Sequence, residues 1–293
     1  MGKRGIGTRA VHGNKPPQRG PLTTPVVQSA TFVFDSSAEM RRYLEGDEEL
    51  YLYTRYENPT LRELESRLAA LEEAEAAVVF ASGMAASATG ILSMVKAGDE
   101  VLASASLYGG VTRLVREVLP SLGIQTRIVP TADLPRLATV ASDRSRLLLL
   151  ESPTNPSVEI LDLRTIIAAA HDRGIAVMVD NTFATPFLQR PYCVGADLVM
   201  HSLTKALAGH SDLIGGALVG SKERVEKARS LLKVLGGCMF KCHCRTCQMS
   251  TGSGYTPVVL VLSKAFRLTQ GQLVHYETDS IKGGKNKRGF CGT

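Results

Sequence analysis

The sequence predicts an α/β fold, a mostly parallel sheet of about seven strands with helices on both faces. Three observations carry that expectation. Short apolar runs such as "AAVVFA", "RLLLLES" and "IAVMVD" are bounded by glycine, proline or hydroxyl residues. Between them lie segments whose apolar residues recur at three- and four-residue steps, the helical period. The two kinds of segment alternate from about residue 60 to about residue 235.

The elements follow in order. Residues 1–50 precede the alternation; Pro16, Pro17, Pro21 and Pro25 interrupt any period, and only "SATFVF" reads as a short strand, so an N-terminal arm is expected. "GIGTRA" at Gly5–Ala10 has the spacing of a dinucleotide fingerprint. No strand precedes it and no helix clearly follows, so that reading is set aside. "NPTLRELESRLAALEEAE" is a helix capped by Asn58 or Thr60, with Leu61, Leu64, Leu68 and Leu71 on one face. The strand "AAVVFA" leads into a helix, "GMAASATGILSMVKAG", ending at Gly98. "DEVLAS" is a strand, "GGVTRLVREVLPSLG" a helix, and "QTRIVP" and "RLLLLES" are strands. "LRTIIAAAHDRG" is a helix with Gly174 at its end, followed by the strands "IAVMVD", "ADLVMH" and "GGALVG". "KERVEKARSLLKVLGG" closes the series as a helix ending in Gly-Gly.

Composition narrows the function classes. At 293 residues, 44% hydrophobic and 21% charged, the chain suits one large or two smaller globular domains. No run is long and apolar enough to span a bilayer. The start lacks the apolar stretch of a secretory signal, and Ile6 stands where a myristoylation motif wants Ser or Thr. A cytoplasmic location is expected. The net charge of +6 sits wholly in residues 239–293, with five Lys and three Arg against Glu277 and Asp279. Residues 1–238 are balanced, so neither nucleic acid nor a membrane surface is an expected partner. Of the six cysteines only Cys193 precedes Cys238. Charge and cysteine usage therefore place a boundary near residue 238.

In open α/β sheets ligands bind beyond the carboxyl ends of the strands. Ser82-Gly83-Met84, Tyr108-Gly109-Gly110, Ser152 to Pro156, Asp180-Asn181-Thr182 and Ser202 to Lys205 all fall at such ends. The Ser82-Gly83-Met84 turn opens a helix, where main-chain N–H groups and the helix dipole suit a phosphate. Ser202 and Thr204 offer hydroxyl donors to the same anion. Asp180 can pair with a protonated ring nitrogen, and Tyr108 can stack on a ring. An isolated lysine is ordinarily a solvated charge. Lys205, flanked by hydroxyl and small residues, is instead placed to form an imine. An aldehyde held as a Schiff base, a carboxylate on a pyridinium nitrogen and a phosphate at a helix start describe pyridoxal 5′-phosphate. His201 and His210 read as packing or local hydrogen-bonding residues.

With those residues in view, the chain resembles the pyridoxal-phosphate-dependent enzymes of Cys/Met metabolism: cystathionine γ-synthase, cystathionine γ- and β-lyase, methionine γ-lyase and the homoserine-ester sulfhydrylases. "YTRYENPT", "ASGMAAS", "YGG", "ESPTNP", "VDNTFATPFLQRP" and "HSLTKALAGHSDLIGGALV" lie in the family's order over roughly residues 20–237. The resemblance implies an aminotransferase-like large domain of fold type I over residues 51–237. It implies a trans-sulfuration lyase or transferase working through a Lys205 Schiff base, on a sulfur amino acid or an activated homoserine ester. By the same resemblance Lys205 and Tyr108 are catalytic. Ser82, Gly83, Met84, Ser202 and Thr204 hold the phosphate, and Asp180 the ring nitrogen. Tyr53 and Arg55 reach into a neighbouring subunit's site, which makes a homodimer or homotetramer the working unit. Glu151 and Asn155 lie near the cofactor and the substrate carboxylate. Methionine γ-lyases carry a cysteine where this chain has Gly110, which weighs against that activity.

Resemblance to this family stops near residue 238. The family continues into a smaller domain that carries the arginine gripping the substrate carboxylate, so a largely missing small domain and weak turnover are expected. Two accounts of residues 238–293 compete. One is a frameshifted or recombined tail, leaving an inactive product. The other is a zinc-binding segment built on Cys238, Cys242, His243, Cys244 and Cys247, whose crowded spacing argues against it. No metal ligands are therefore assigned, and no periodic segment is expected beyond about residue 275.

Overall fold

Seven short apolar runs pair into one sheet: β1 (Ala76–Phe80), β2 (Glu100–Ser104), β3 (Gln125–Val129), β4 (Ser145–Glu151), β5 (Ala176–Asp180), β6 (Leu198–Ser202) and β7 (Gly216–Gly220). Their spatial order is β1-β7-β6-β5-β4-β2-β3, and β7 alone runs against its neighbours β1 and β6. The computed structural model describes residues 5–13, 24–46 and 50–237, and the backbone of 272–279 and 285–292.

The two-residue strand period divides the core. Val79, Leu148, Leu150, Val177, Val179 and Val199 face one layer, over which the helices Pro59–Glu72 and Leu163–His171 pack. Val78, Phe80, Leu147, Leu149, Met178 and Met200 face the other, under Gly83–Leu92 and Lys222–Leu235. Burial on both faces explains why all but the edge strand β3 read as near-continuous apolar runs.

Register fixes which strand ends meet. Gly216 on β7 is the partner of both Phe80 on β1 and Ser202 on β6. Asp180 pairs with Glu151 on one side and Met200 on the other. The segments leaving β1, β4, β5 and β6 therefore emerge together on one rim.

Several expectations need correction. The helix opened by Gly83 ends at Leu92, and turns carry the chain to Gly98, whose φ of +93° suits glycine. The arm contains two helices, Ile6–His12 and Ser37–Leu44, while "SATFVF" is reduced to one bridge between Thr31 and Tyr53. Ile6–His12 is docked by Arg9, which donates to the Ala70 carbonyl at 3.2 Å and pairs with Glu73 at 2.9 Å. Those partners lie some sixty residues away, beyond any local pattern. Ser37–Leu44 carries a readable signal: the Ser36 hydroxyl accepts from Glu39 N while the Glu39 carboxylate accepts from Asp35 N. Beyond residue 275, β8 (Gln272–Asp279) and β9 (Lys285–Gly292) form an antiparallel pair where no period was expected. β9 is mostly polar or glycine, so its strand character comes from pairing rather than from alternation.

Candidate active site

Ser82 caps the helix Gly83–Leu92, its hydroxyl accepting from Ala85 N at 3.1 Å, while Ala86 N donates to the Ser82 carbonyl. The remaining first-turn donors, the N–H groups of Gly83 and Met84, have no protein acceptor among the described residues. The space around them admits no side chain on the backbone. A Cβ on Gly216 would lie 2.3 Å from the Ser82 carbonyl oxygen and 2.8 Å from Gly83 Cα. A Cβ on Gly83 would lie 3.1 Å from Ser202 Cβ. Three strand ends thus close to backbone contact around two free donors, a cradle for an anion.

The β6 exit supplies the hydroxyls and the lysine. Ser202 N donates to Thr182 Oγ1 at 2.8 Å, and the Ser202 hydroxyl has no protein partner among the described residues. Thr204 is differently employed: its hydroxyl donates to the Gly215 carbonyl at 3.2 Å and accepts from Gly215 N at 3.1 Å. Thr204 here braces the loop before β7. Lys205 is exposed, in the turn after β6.

Asp180 ends β5 half-buried, with Oδ1 accepting from Thr182 N at 3.0 Å. Burial pushes its carboxyl upward, and the Thr182 hydrogen bonds and the nearby His201 oppose that push. Glu151, its neighbour on β4, is 2% exposed and accepts from Tyr108 N at 2.7 Å. Burial, then the Asp180 charge, raise the Glu151 carboxyl to about 8. Glu151 is thus buried and engaged by the Tyr108 main chain rather than open on the rim. Tyr108 is half-exposed. A Cβ on Gly110 would meet the Tyr108 ring at 2.8 Å and Met84 Sδ at 2.9 Å, which puts the free first-turn donors and the aromatic side by side. Asn155 follows β4, half-buried, in a loop held by Gln189 Nε2 on the Ser152 carbonyl at 2.9 Å.

Tyr53 and Arg55 stand apart from this group. The Arg55 guanidinium lies 5.4 Å from the Tyr53 ring centre and 4.8 Å from that of Tyr56, and Nη1 donates to the Lys233 carbonyl.

Sequence reasoning missed a buried polar network beneath the rim. His201 Nε2 meets Glu72 Oε1 at 2.7 Å with both side chains wholly buried, so His201 does not merely pack locally. Asn181 Nδ2 donates to the same Glu72 oxygen at 3.0 Å and to the Gln189 carbonyl at 2.8 Å. One carboxylate from the helix Pro59–Glu72 thereby ties the exits of β5 and β6. Nothing in "LEEAE" distinguishes the buried Glu72 from its partly exposed neighbour Glu73.

Comparison with known proteins divides the chain at the same place. Residues 7–253 match the family model described as Cys/Met metabolism PLP-dependent enzyme. Residues 234–293 match a second, described as glutathione-dependent formaldehyde-activating enzyme. L-methionine gamma-lyase of Fusobacterium nucleatum subsp. polymorphum is 41% identical over 229 residues, 78% of this chain and 58% of that protein. Cystathionine gamma-synthase of Mycobacterium leprae is 39% identical over 234 residues, 79% of this chain and 58% of that protein. A putative O-acetylhomoserine (thiol)-lyase of Campylobacter jejuni, solved with N′-pyridoxyl-lysine-5′-monophosphate, superposes with a TM-score of 0.70 at 31% identity. That superposition covers 76% of this chain and 54% of the other. The chain thus spans under two thirds of the length of these relatives.

Proposed function

The chain belongs to the PLP-dependent enzymes of Cys/Met metabolism, and we propose that residues 51–237 bind pyridoxal 5′-phosphate on Lys205 for a trans-sulfuration lyase or transferase reaction. The substrate class is a sulfur amino acid or an activated homoserine ester. The observation that carries this reading is the shared register of Gly216 with Phe80 and Ser202, which gathers the family's separate motifs around one anion cradle. The residues present fit the cofactor. Two unpartnered N–H groups and a free Ser202 hydroxyl suit its phosphate, and the Asp180 carboxylate suits a ring nitrogen.

When bound, the cofactor supplies an electron sink for a carbanion at the substrate α-carbon. The chain's own residues do the rest. Gly83, Met84 and Ser202 would hold the phosphate, with Thr204 bracing the approach to β7, whose Gly216 closes on Ser82. Asp180 keeps the ring nitrogen protonated. Tyr108 would stack on the ring and move protons with Lys205, whose amine, released when the substrate amine takes its place, would accept the substrate α-proton. Tyr53 and Arg55 complete the site of a second copy, in a homodimer or homotetramer, and the enzyme works in the cytoplasm. Neither substrate nor reaction branch is separated by the relatives, whose names include both lyase and synthase.

The experiment is direct. The purified full chain, mixed with pyridoxal 5′-phosphate, develops a visible absorbance band that resists dialysis, and Lys205→Ala abolishes it. A wild-type chain that stays colourless overturns the reading. Turnover is then assayed with methionine, cystathionine and O-acetylhomoserine plus sulfide.

A second reading concerns the tail. An unselected reading frame would have no family of its own, whereas residues 234–293 match one. Cys238, Cys242, His243, Cys244 and Cys247 lie in that segment but outside the described residues. Metal analysis of the chain with and without residues 239–293 tests whether they hold zinc.

A further inference from the structure

Two carboxyl groups stand side by side at the floor of the site, on the register pair Glu151 and Asp180. Asp180 has a task in the proposed function, whereas Glu151 is buried and bonded to the Tyr108 main chain. The residue is 2% exposed, and its protein partner is the main-chain N–H of Tyr108, donating to Oε2 at 2.7 Å. Tyr108 is the ring that flanks the phosphate cradle through Gly110 and Met84. The groups facing Glu151 are otherwise neutral among the described residues: Ser87, Ile91, Leu107, Val111 and Met178 line the same small cavity, with Asp180 its charged member.

We infer that Glu151 is a positioning residue that seats Tyr108 through its main-chain N–H, beside Asp180, the carboxyl left to face the cofactor's ring nitrogen. This rests on the proposed cofactor site. Two buried like charges at adjacent strand ends disfavour joint ionisation. Burial raises both carboxyls, but Asp180 has the Thr182 donors and His201 beside it, whereas Glu151 has one main-chain donor and the Asp180 charge against it. Glu151, raised to about 8, is therefore the member that keeps the proton. Above that value a second negative charge appears beside Asp180. A protonated ring nitrogen on Asp180 offsets that charge, so cofactor loading lowers the Glu151 midpoint. Reciprocally, ionisation of Glu151 tightens cofactor binding.

The test uses the full chain with glutamate labelled by carbon-13 at the side-chain carboxyl, read by NMR during pH titration. In apo wild type one signal titrates near 8, is missing in Glu151→Gln, and moves to lower pH on adding pyridoxal 5′-phosphate. At pH 7 the Gln variant, which keeps an acceptor for Tyr108 N, binds the cofactor within about twofold of wild type; above pH 8 wild type is the tighter. Glu151→Ala leaves that N–H without an acceptor and binds about tenfold more weakly at every pH. Absence of a signal assignable to Glu151 above about pH 6, or a Gln variant as weak as Ala at pH 7, overturns the inference. A wild-type chain that loads cofactor but lacks the titration fails the inference alone. One that titrates near 8 but takes up no cofactor fails the cofactor reading and the inference with it.

Discussion

Gly216→Ala is the substitution whose consequence the structure defines most sharply. The added Cβ would sit 2.3 Å from the Ser82 carbonyl oxygen, 2.6 Å from its carbon and 2.8 Å from Gly83 Cα. Ordinary contact begins at 3.4 Å, so β7 and the β1 exit must separate by about 1 Å. Neither side yields easily, because Gly216 is paired on both flanks and the atoms it meets are backbone. Overpacking of this kind costs about 1–3 kcal/mol. For a domain of this size each kcal/mol lowers Tm by about 2–4 °C, so a fall of roughly 2–12 °C is expected. The displaced atoms are the cradle itself, so pyridoxal 5′-phosphate affinity should drop about ten- to hundredfold. Gly83→Ala is the graded comparison. Its Cβ meets Met200 Cε and the Ser202 side chain at 3.1–3.2 Å, atoms that can move, so it should melt closer to wild type than Gly216→Ala. Gly7→Ala, with nothing within 4 Å in the helix Ile6–His12, should be neutral or stabilising. The assays are thermal melts of the apo chain and cofactor titration by absorbance. A Gly216→Ala protein that melts and binds like wild type would refute the cradle.

Other perturbations have definite signs. His201→Ala leaves the wholly buried Glu72 carboxylate without its ring partner and should cost about 3–5 kcal/mol, read by urea denaturation of the apo chain. Arg229→Met strands Glu65, which now receives two guanidinium hydrogen bonds at 2.9 and 3.2 Å. It should destabilise by a similar amount, and the further change Glu65→Met should recover part of that loss. Because Glu151 is raised to about 8, the folded chain holds a proton that the unfolded chain releases near the ordinary carboxyl value. Its contribution is intact below that ordinary value and is lost as pH rises to 8. Wild-type melting should therefore fall relative to Glu151→Gln across this window, and parallel profiles would contradict it. Thr204→Val removes both bonds to Gly215 and should weaken cofactor binding by loosening the β7 approach, with a smaller loss in Thr204→Ser.

What was legible in the sequence, and what was not, depends on the range of the forces involved. Strands buried on both faces announce themselves as apolar runs, which made six of the seven readable, while the edge strand "QTRIV" shows the alternation of a half-exposed strand instead. The polar residues at their ends were readable for the same reason, since a strand's end fixes the rim. Partners are another matter. Glu72 and Glu73 look alike in "LEEAE", yet one is wholly buried on His201 and Asn181 while the other pairs at the surface with Arg9. Glu151 reads as the last residue of an apolar strand facing a ligand, and only the register reveals Asp180 as a second acid beside it. Thr204 reads as a phosphate donor, and only the fold reveals the Gly215 main chain that occupies it.

The boundary near residue 238 gains a structural meaning from the same register. The helix Lys222–Leu235 ends at Gly236 and Gly237, with φ of +80° and +85°, conformations that glycine adopts without strain. The Gly237 carbonyl then accepts from Ala81 N at 2.7 Å, one residue before the Ser82 cap. A Cβ on Gly237 would touch Ala85 Cβ at 3.7 Å, in the first turn of the helix that carries the cradle. The cofactor layer is therefore closed on its β1 edge by the last two described residues before the composition changes. The two family models overlap over the same stretch, one running to residue 253 and the other starting at 234. The bracing at Gly237 predicts a cradle that forms without residues 239–293. Removing them should thus leave pyridoxal 5′-phosphate uptake by Lys205 intact, and a deletion variant that folds but no longer takes up the cofactor would show that the tail supports the cradle after all.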